Sequence, residues 1–167
     1  MEYCGDGECN CGEVCDPTAP GQSGCNATCT SWTDINDPVV TINGVGKASD
    51  PNNWLNSGFE VKMTFTELNG GDSGLNTCQY KVVNFGEIPS AIPWVSAVSC
   101  NGLTDSGSIT KTITVGPSGQ CHVENSSGCK VCVKACDKST PNRCNPENDY
   151  FCKYFKIDWT PPTTEIK

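Results

Sequence analysis

The chain has 167 residues, fourteen of them cysteine, and a formal net charge of −8 with a sequence pI near 4.5. Its hydrophobic share of 36% counts cysteine, so the apolar material suffices for one modest sandwich or bundle and not for two full cores. A cysteine density of about 8% argues against a reduced cytosolic protein. The single arginine, Arg143, stands apart from any basic cluster, so nucleic-acid binding, which needs a cationic face, is not expected.

Residues 1–31 read as loops, since Gly, Asp, Pro and Cys dominate and neither periodicity is present. Met1-Glu2-Tyr3 has neither the basic start nor the apolar stretch of a signal peptide, so the sequence is expected to be a piece of a longer protein. Six cysteines, Cys4, Cys9, Cys11, Cys15, Cys25 and Cys29, fall in the first 29 residues without apolar segments to bury. Disulfides or a cation must therefore hold this module. Asp6, Glu8 and Asn10 set side-chain oxygens at alternate positions, followed by Gly12, Glu13 and Asp16. Calcium takes six to eight oxygen ligands in such flexible loops, which makes Asp6, Glu8, Asn10, Glu13 and Asp16 its expected ligands. A solvated acidic turn stapled by disulfides is the other reading of the same residues.

After Trp32 the texture changes to short alternating runs. Val39–Ile42 opens the series, and Phe59–Phe65 alternates apolar and polar residues without a fault, as a half-buried strand does. Cys78–Val82 repeats the pattern, Trp94–Val98 follows, and Ile109–Val115 keeps it apart from Lys111. Over 129–136, Val131, Val133 and Ala135 form one face, leaving Lys130, Cys132, Lys134 and Cys136 on the other. Phe151, Phe155 and Ile157 make a seventh run, interrupted by Lys153. Turn residues cluster between the runs, as at 69–74 and 101–107, and no helical period extends over ten residues. The expected fold is all-β: a disulfide-stapled immunoglobulin-like sandwich of about seven strands over 34–158, behind a small cysteine-rich module at 1–31. The even cysteine count fits pairing within each part, Cys78, Cys100, Cys121, Cys129, Cys132, Cys136, Cys144 and Cys152 belonging to the sandwich. Eight cysteines allow 105 pairings, and spacing alone does not choose among them.

Asp34-Ile-Asn-Asp-Pro38…Ile42 has an echo 124 residues later in Asp158-Trp-Thr-Pro-Pro162…Ile166. On this reading, 159–167 starts a following repeat or reaches a neighbouring subunit. Phe155-Lys-Ile-Asp-Trp-Thr-Pro-Pro162, together with Ser73-Gly-Leu75, Cys78, Tyr80 and Val82, resembles the Ig-like repeats of large bacterial and archaeal surface proteins. Cys4-Gly-Asp-Gly, Gly12-Glu-Val-Cys15-Asp16, Gly24-Cys25 and Cys29 resemble the short CGDG-type cysteine-rich repeats of secreted microbial proteins. Cys11 departs from that pattern and, with Cys9, leaves the pairing open. Neither resemblance implies catalysis.

Cys129-x-x-Cys132-x-x-x-Cys136 superficially spells a metal-cluster run. However, positions 129 and 132 are an odd number of residues apart on a strand and project to opposite faces, so crosslinks are expected, with Cys152 a natural cross-strand partner. The only histidine, His122, would have to carry any Ser–His–Asp or Cys–His arrangement from a Ser/Gly/Asn-rich loop, and no enzyme is expected. Asn26 and Asn125 head glycosylation sequons. Trp32, Trp54, Trp94 and Trp159 lie at junctions or strand ends, where rings could stack on sugars. The favoured assignment puts Trp94 in the sandwich core and Trp32 and Trp159 at domain junctions. Asp34, Asp37 and Asp158 could add calcium bridges at those junctions.

The function expected is a structural or adhesive module of an extracellular or cell-surface tandem array, with neighbouring repeats or subunits as partners and no membrane span. A self-assembling filament subunit using the C-terminal strand and a carbohydrate-binding module, with Trp54 on the ligand, are the alternatives.

Overall fold

The computed structural model describes residues 7, 25, 34, 36–72, 74–100, 105–116, 120–139, 143–145 and 151–160. Asp6, Glu8, Asn10, Glu13 and Asp16 lie outside the described residues, as do Asn26, Trp32 and five of the six N-terminal cysteines; Cys25 is disulfide-bonded.

Two β-sheets face each other. One has three strands in the order β1 (Val39–Gly44), β3 (Phe59–Asp72), β6 (Asp105–Val115). The other has five: β2 (Trp54–Leu55), β8 (Cys152–Ile157), β7 (Asn125–Asp137), β4 (Leu75–Asn84), β5 (Val95–Ser96). All pairings are antiparallel except β2 with β8, which is parallel. The all-β, disulfide-rich reading of the sequence holds, and each of the seven predicted runs overlaps a strand. The two-residue β2 is an addition that no periodicity could announce.

Alternation sets the core. Phe59, Val61, Met63 and Phe65 of β3 point inward beside Ile113 and Val115 of β6, and meet Val131, Val133 and Ala135 of β7 with Phe155 and Ile157 of β8. The Phe59 and Phe155 rings lie 4.8 Å apart across the gap. Each of these Phe, Val, Met and Ile side chains contributes about 1.5–3 kcal/mol when removed from water.

Two expected turns are shorter than composition suggested. The 69–74 cluster reads as a loop, yet β3 runs on to Asp72, with an irregularity in its pairing to β6 between Glu67 and Asp72. Likewise β6 begins at Asp105, inside the expected 101–107 turn. Glycine and asparagine are poor strand formers, and the ladder with β6 breaks where they cluster: it runs to Glu67, opposite Gly107, and resumes at Asp72, opposite Asp105.

Lys111, the one fault in the β6 pattern, sits opposite the fully buried Met63 and nevertheless reaches solvent. β6 is an edge strand. A charge at an inward position of an edge discourages another strand from pairing there.

Two glycines are sterically required: at Gly44 a Cβ would come 1.9 Å from the Ala48 carbonyl oxygen, and Gly128 is the second. Gly128 lies at the irregularity in the β7–β8 pairing, where a Cβ would come 2.7 Å from the Val123 carbonyl oxygen and 2.8 Å from Ile157 Cβ.

Candidate binding face

Four disulfides occur among the described residues, and all belong to the five-stranded sheet and its connections. Cys78 of β4 pairs with Cys100, Cys121 with Cys129 at the start of β7, Cys132 of β7 with Cys152 of β8, and Cys136 of β7 with Cys144. Cys132 and Cys152 stand directly opposite in register. Cys129 is buried inward with Val131 while Cys132 faces outward, as strand parity requires. None of these four crosslinks joins the two sheets, which apolar burial holds together. The disulfides mark a chain that matures in an oxidising compartment. No helix among the described residues is long and apolar enough to cross a membrane, and no group of three or more metal-ligating side chains occurs among them.

The outer face of the five-stranded sheet is built by the residues that alternate with the core. Strand β4 presents Gln79, Lys81 and Val83, β7 presents Lys130, Cys132 and Lys134, and β8 presents Cys152, Tyr154 and Lys156, with Trp54 of β2 beside Lys156. Every charged side chain at these register positions is a lysine, in a chain of net charge −8. Sequence reading missed this cluster because its members are far apart in the chain and meet only through strand order.

The face divides in two. Over β4, the segment 85–94 folds across it: Lys81 Nζ donates to the Pro89 carbonyl at 3.0 Å and lies 4.1 Å from the centroid of the Trp94 ring, with Lys134 Nζ 5.9 Å away. Val83 and Cys132 are buried yet belong to no part of the inter-sheet core. The expectation that Trp94 is sandwich core is therefore corrected. Tyr80 pairs with Val95, which sets Trp94 opposite the outward-facing Lys81, where the ring stacks on the ammonium at the half-exposed surface.

Over β8 and β2 the face is open. Trp54 is 51% exposed and Tyr154 46%. Lys130 stands opposite Tyr154 in register, its Nζ 5.4 Å from the ring centroid and 3.5 Å from the hydroxyl.

The remaining candidates are scattered. Trp159 is half-buried against the core of this same sandwich, its indole N–H donating to the Cys121 carbonyl at 2.8 Å, and Thr160 donates to Glu124 at 2.6 Å. Asp34 is buried and caps the Asn36 amide at 3.0 Å, whereas Asp158, its counterpart in the echo, is exposed and offers its own amide to the Leu55 carbonyl. Asp37 faces Arg143 at 3.5 Å. His122 is exposed, with its backbone N–H on the Asn84 side chain. Asn125 is half-buried at the start of β7.

Asp137, not singled out in the sequence, organises the turn after β7. Its buried carboxylate accepts the Ser139 amide and hydroxyl and the Arg143 amide. Asp-x-Ser is the signal that could have found it, because Asp caps amides two residues on. Comparison with protein-family models, curated proteins and solved structures finds no match.

Proposed function

We propose that the chain is a structural and adhesive bead of an extracellular or cell-surface array, in which an Ig-like sandwich acts as a stiff spacer. The observation that carries this reading is where the chain enters and leaves the sandwich. Asp37 lies beside Arg143, at the end where Val39 pairs with Thr66. Asp158 bonds to Leu55, at the end where Phe59 pairs with Val115 and packs against Phe155. These ends are opposite poles of β3, separated along it by about 23 Å at the rise of a β-strand. A bead threaded from pole to pole adds its full length to a string, and the disulfides stiffen the sheet that carries the exit strand, β8.

The strand grouping supports the immunoglobulin-like assignment. Lettering β1, β3, β4, β6, β7 and β8 as A, B, C, E, F and G sets A, B and E against C, F and G, as in a constant-type domain less its D strand. This sandwich departs from the antibody pattern in having no B–F disulfide among the described residues. The likeness of residues 4–29 to secreted cysteine-rich repeats fits the same extracellular setting.

The test is X-ray scattering from two, three and four copies of the chain joined head to tail. A stiff spacer gives a maximum dimension that rises linearly with copy number. Growth as the square root of copy number would describe freely jointed beads and overturn the reading.

A further inference from the structure

We propose that the open half of the five-stranded sheet, formed by Trp54, Tyr154, Lys130 and Lys156, binds an anionic polysaccharide. The inference deepens the adhesive part of the reading above and is independent of the spacer part.

Three observations converge on this patch. First, two aromatic rings are about half exposed on a single sheet face, although both strands have inward positions that bury apolar side chains, namely Leu55, Phe155 and Ile157. Strand pairing sets Trp54 beside Lys156, and Tyr154 lies two residues away on the same face. Rings so placed offer flat apolar surfaces with a polar edge, suited to the apolar face of a sugar ring.

Second, a cation adjoins each ring. Lys130 is held against Tyr154 by ring and hydroxyl contacts, and Lys156 is the register partner of Trp54. A saccharide stacked on either ring therefore presents its substituents to an ammonium group. Carboxylate or sulfate substituents would be matched to these cations by charge.

Third, the charge of the whole molecule makes the patch selective. The chain is acidic overall, so most of its surface repels a polyanion. On this face the charged register positions hold lysine. From Trp54 diagonally across β8 to Lys130 is about 12 Å, from two strand spacings and two residues along the strand, room for about two sugar rings. The Cys132–Cys152 crosslink, on the same face beside the patch, ties β7 to β8 and stiffens it.

Affinity electrophoresis of the whole disulfide-bonded chain tests this, with polygalacturonate, dextran sulfate or neutral dextran in the gel. Retardation by polygalacturonate, by dextran sulfate or by both is expected, and the comparison tells whether carboxylate or sulfate is preferred. Trp54→Ala should weaken retention about tenfold or more, Trp54→Phe should restore most of it, and Lys156→Glu should weaken it by a similar factor and flatten its salt dependence. Lys62→Glu, on the outer face of the other sheet, should leave it unchanged. Retardation by neither polyanion, equal retardation by neutral dextran, or indifference to Trp54→Ala would overturn the proposal. So would self-association on sizing that Lys156→Glu abolishes, because the occupant would then be an acidic surface of a second copy. Concatemer scattering is read separately, so failure here leaves the spacer reading standing.

Discussion

Held by handles at Asp37 and Asp158 and stretched, the sandwich should extend much further after reduction than before it. These exposed residues are 121 positions apart. Intact bridges bypass the chain between Cys78 and Cys100, Cys121 and Cys129, and Cys132 and Cys152, with separations of 22, 8 and 20 residues. About fifty residues are thereby kept out of the extended path. At roughly 3.5 Å per extended residue they represent about 175 Å. The bridged Cα pairs themselves span 6.1, 5.6 and 4.0 Å, so reduction should lengthen the unfolded contour by about 160 Å. Single-molecule force spectroscopy with and without reductant measures this directly. The connectivity also makes a sharper demand. The Cys136–Cys144 loop nests inside the Cys132–Cys152 loop, so Cys136→Ser with Cys144→Ser should leave the oxidised contour unchanged, while Cys78→Ser with Cys100→Ser should add about 70 Å. A longer contour from the nested pair, or no change on reduction, would refute the bridge assignment. In bulk, opening the 22-residue loop should cost about 3.4 kcal/mol and an eight-residue loop about 2.5 on the chain-entropy account.

Gly128→Ala should cost about 1–3 kcal/mol through overlap with Val123 and Ile157, read as a melting point lower by several degrees; an unchanged one would mean the bulge relaxes freely. Lys111→Val should turn β6 into an adhesive edge, giving dimers or aggregates on sizing, and a clean monomer would show that Lys111 guards nothing. Asp137→Ala removes the acceptor for two amides and a hydroxyl and should lower stability by about 2–3 kcal/mol in urea, with faster hydrogen exchange at Ser139 and Arg143; unchanged exchange there would contradict its role in the turn. For Asp6, Glu8, Asn10, Glu13 and Asp16, calorimetry of the whole chain with calcium should show a binding heat that Glu13→Gln diminishes, and absence of heat would remove calcium from the account.

Strand existence was legible because half-buried strands leave a two-residue period. The β7 run is the clearest case: its two-residue period alone puts Val131, Val133 and Ala135 inward and Cys132 outward as a crosslinking residue. Places where composition misled share one cause. Asn and Gly at 69–71 suggested a turn, yet β3 continues to Asp72, which pairs with Asp105 of β6. Trp94 was expected in the core, yet its face depends on the register of β5 against β4, which a two-residue strand does not announce.

The amino-acid sequence by itself determined the all-β class, the approximate strand positions, the oxidising compartment and which β7 residues face inward, since these follow from composition and local period. The tertiary structure alone decided the four disulfide partners, the pole-to-pole path and the lysine–aromatic face. Each depends on which strands lie side by side. Lys130, Tyr154, Lys156 and Trp54 come from three strands, and Trp54 and its neighbour Lys156 are 102 positions apart in the chain. Such neighbours are chosen by burial of the whole inner surface at once, a global free-energy condition that no local window of sequence contains.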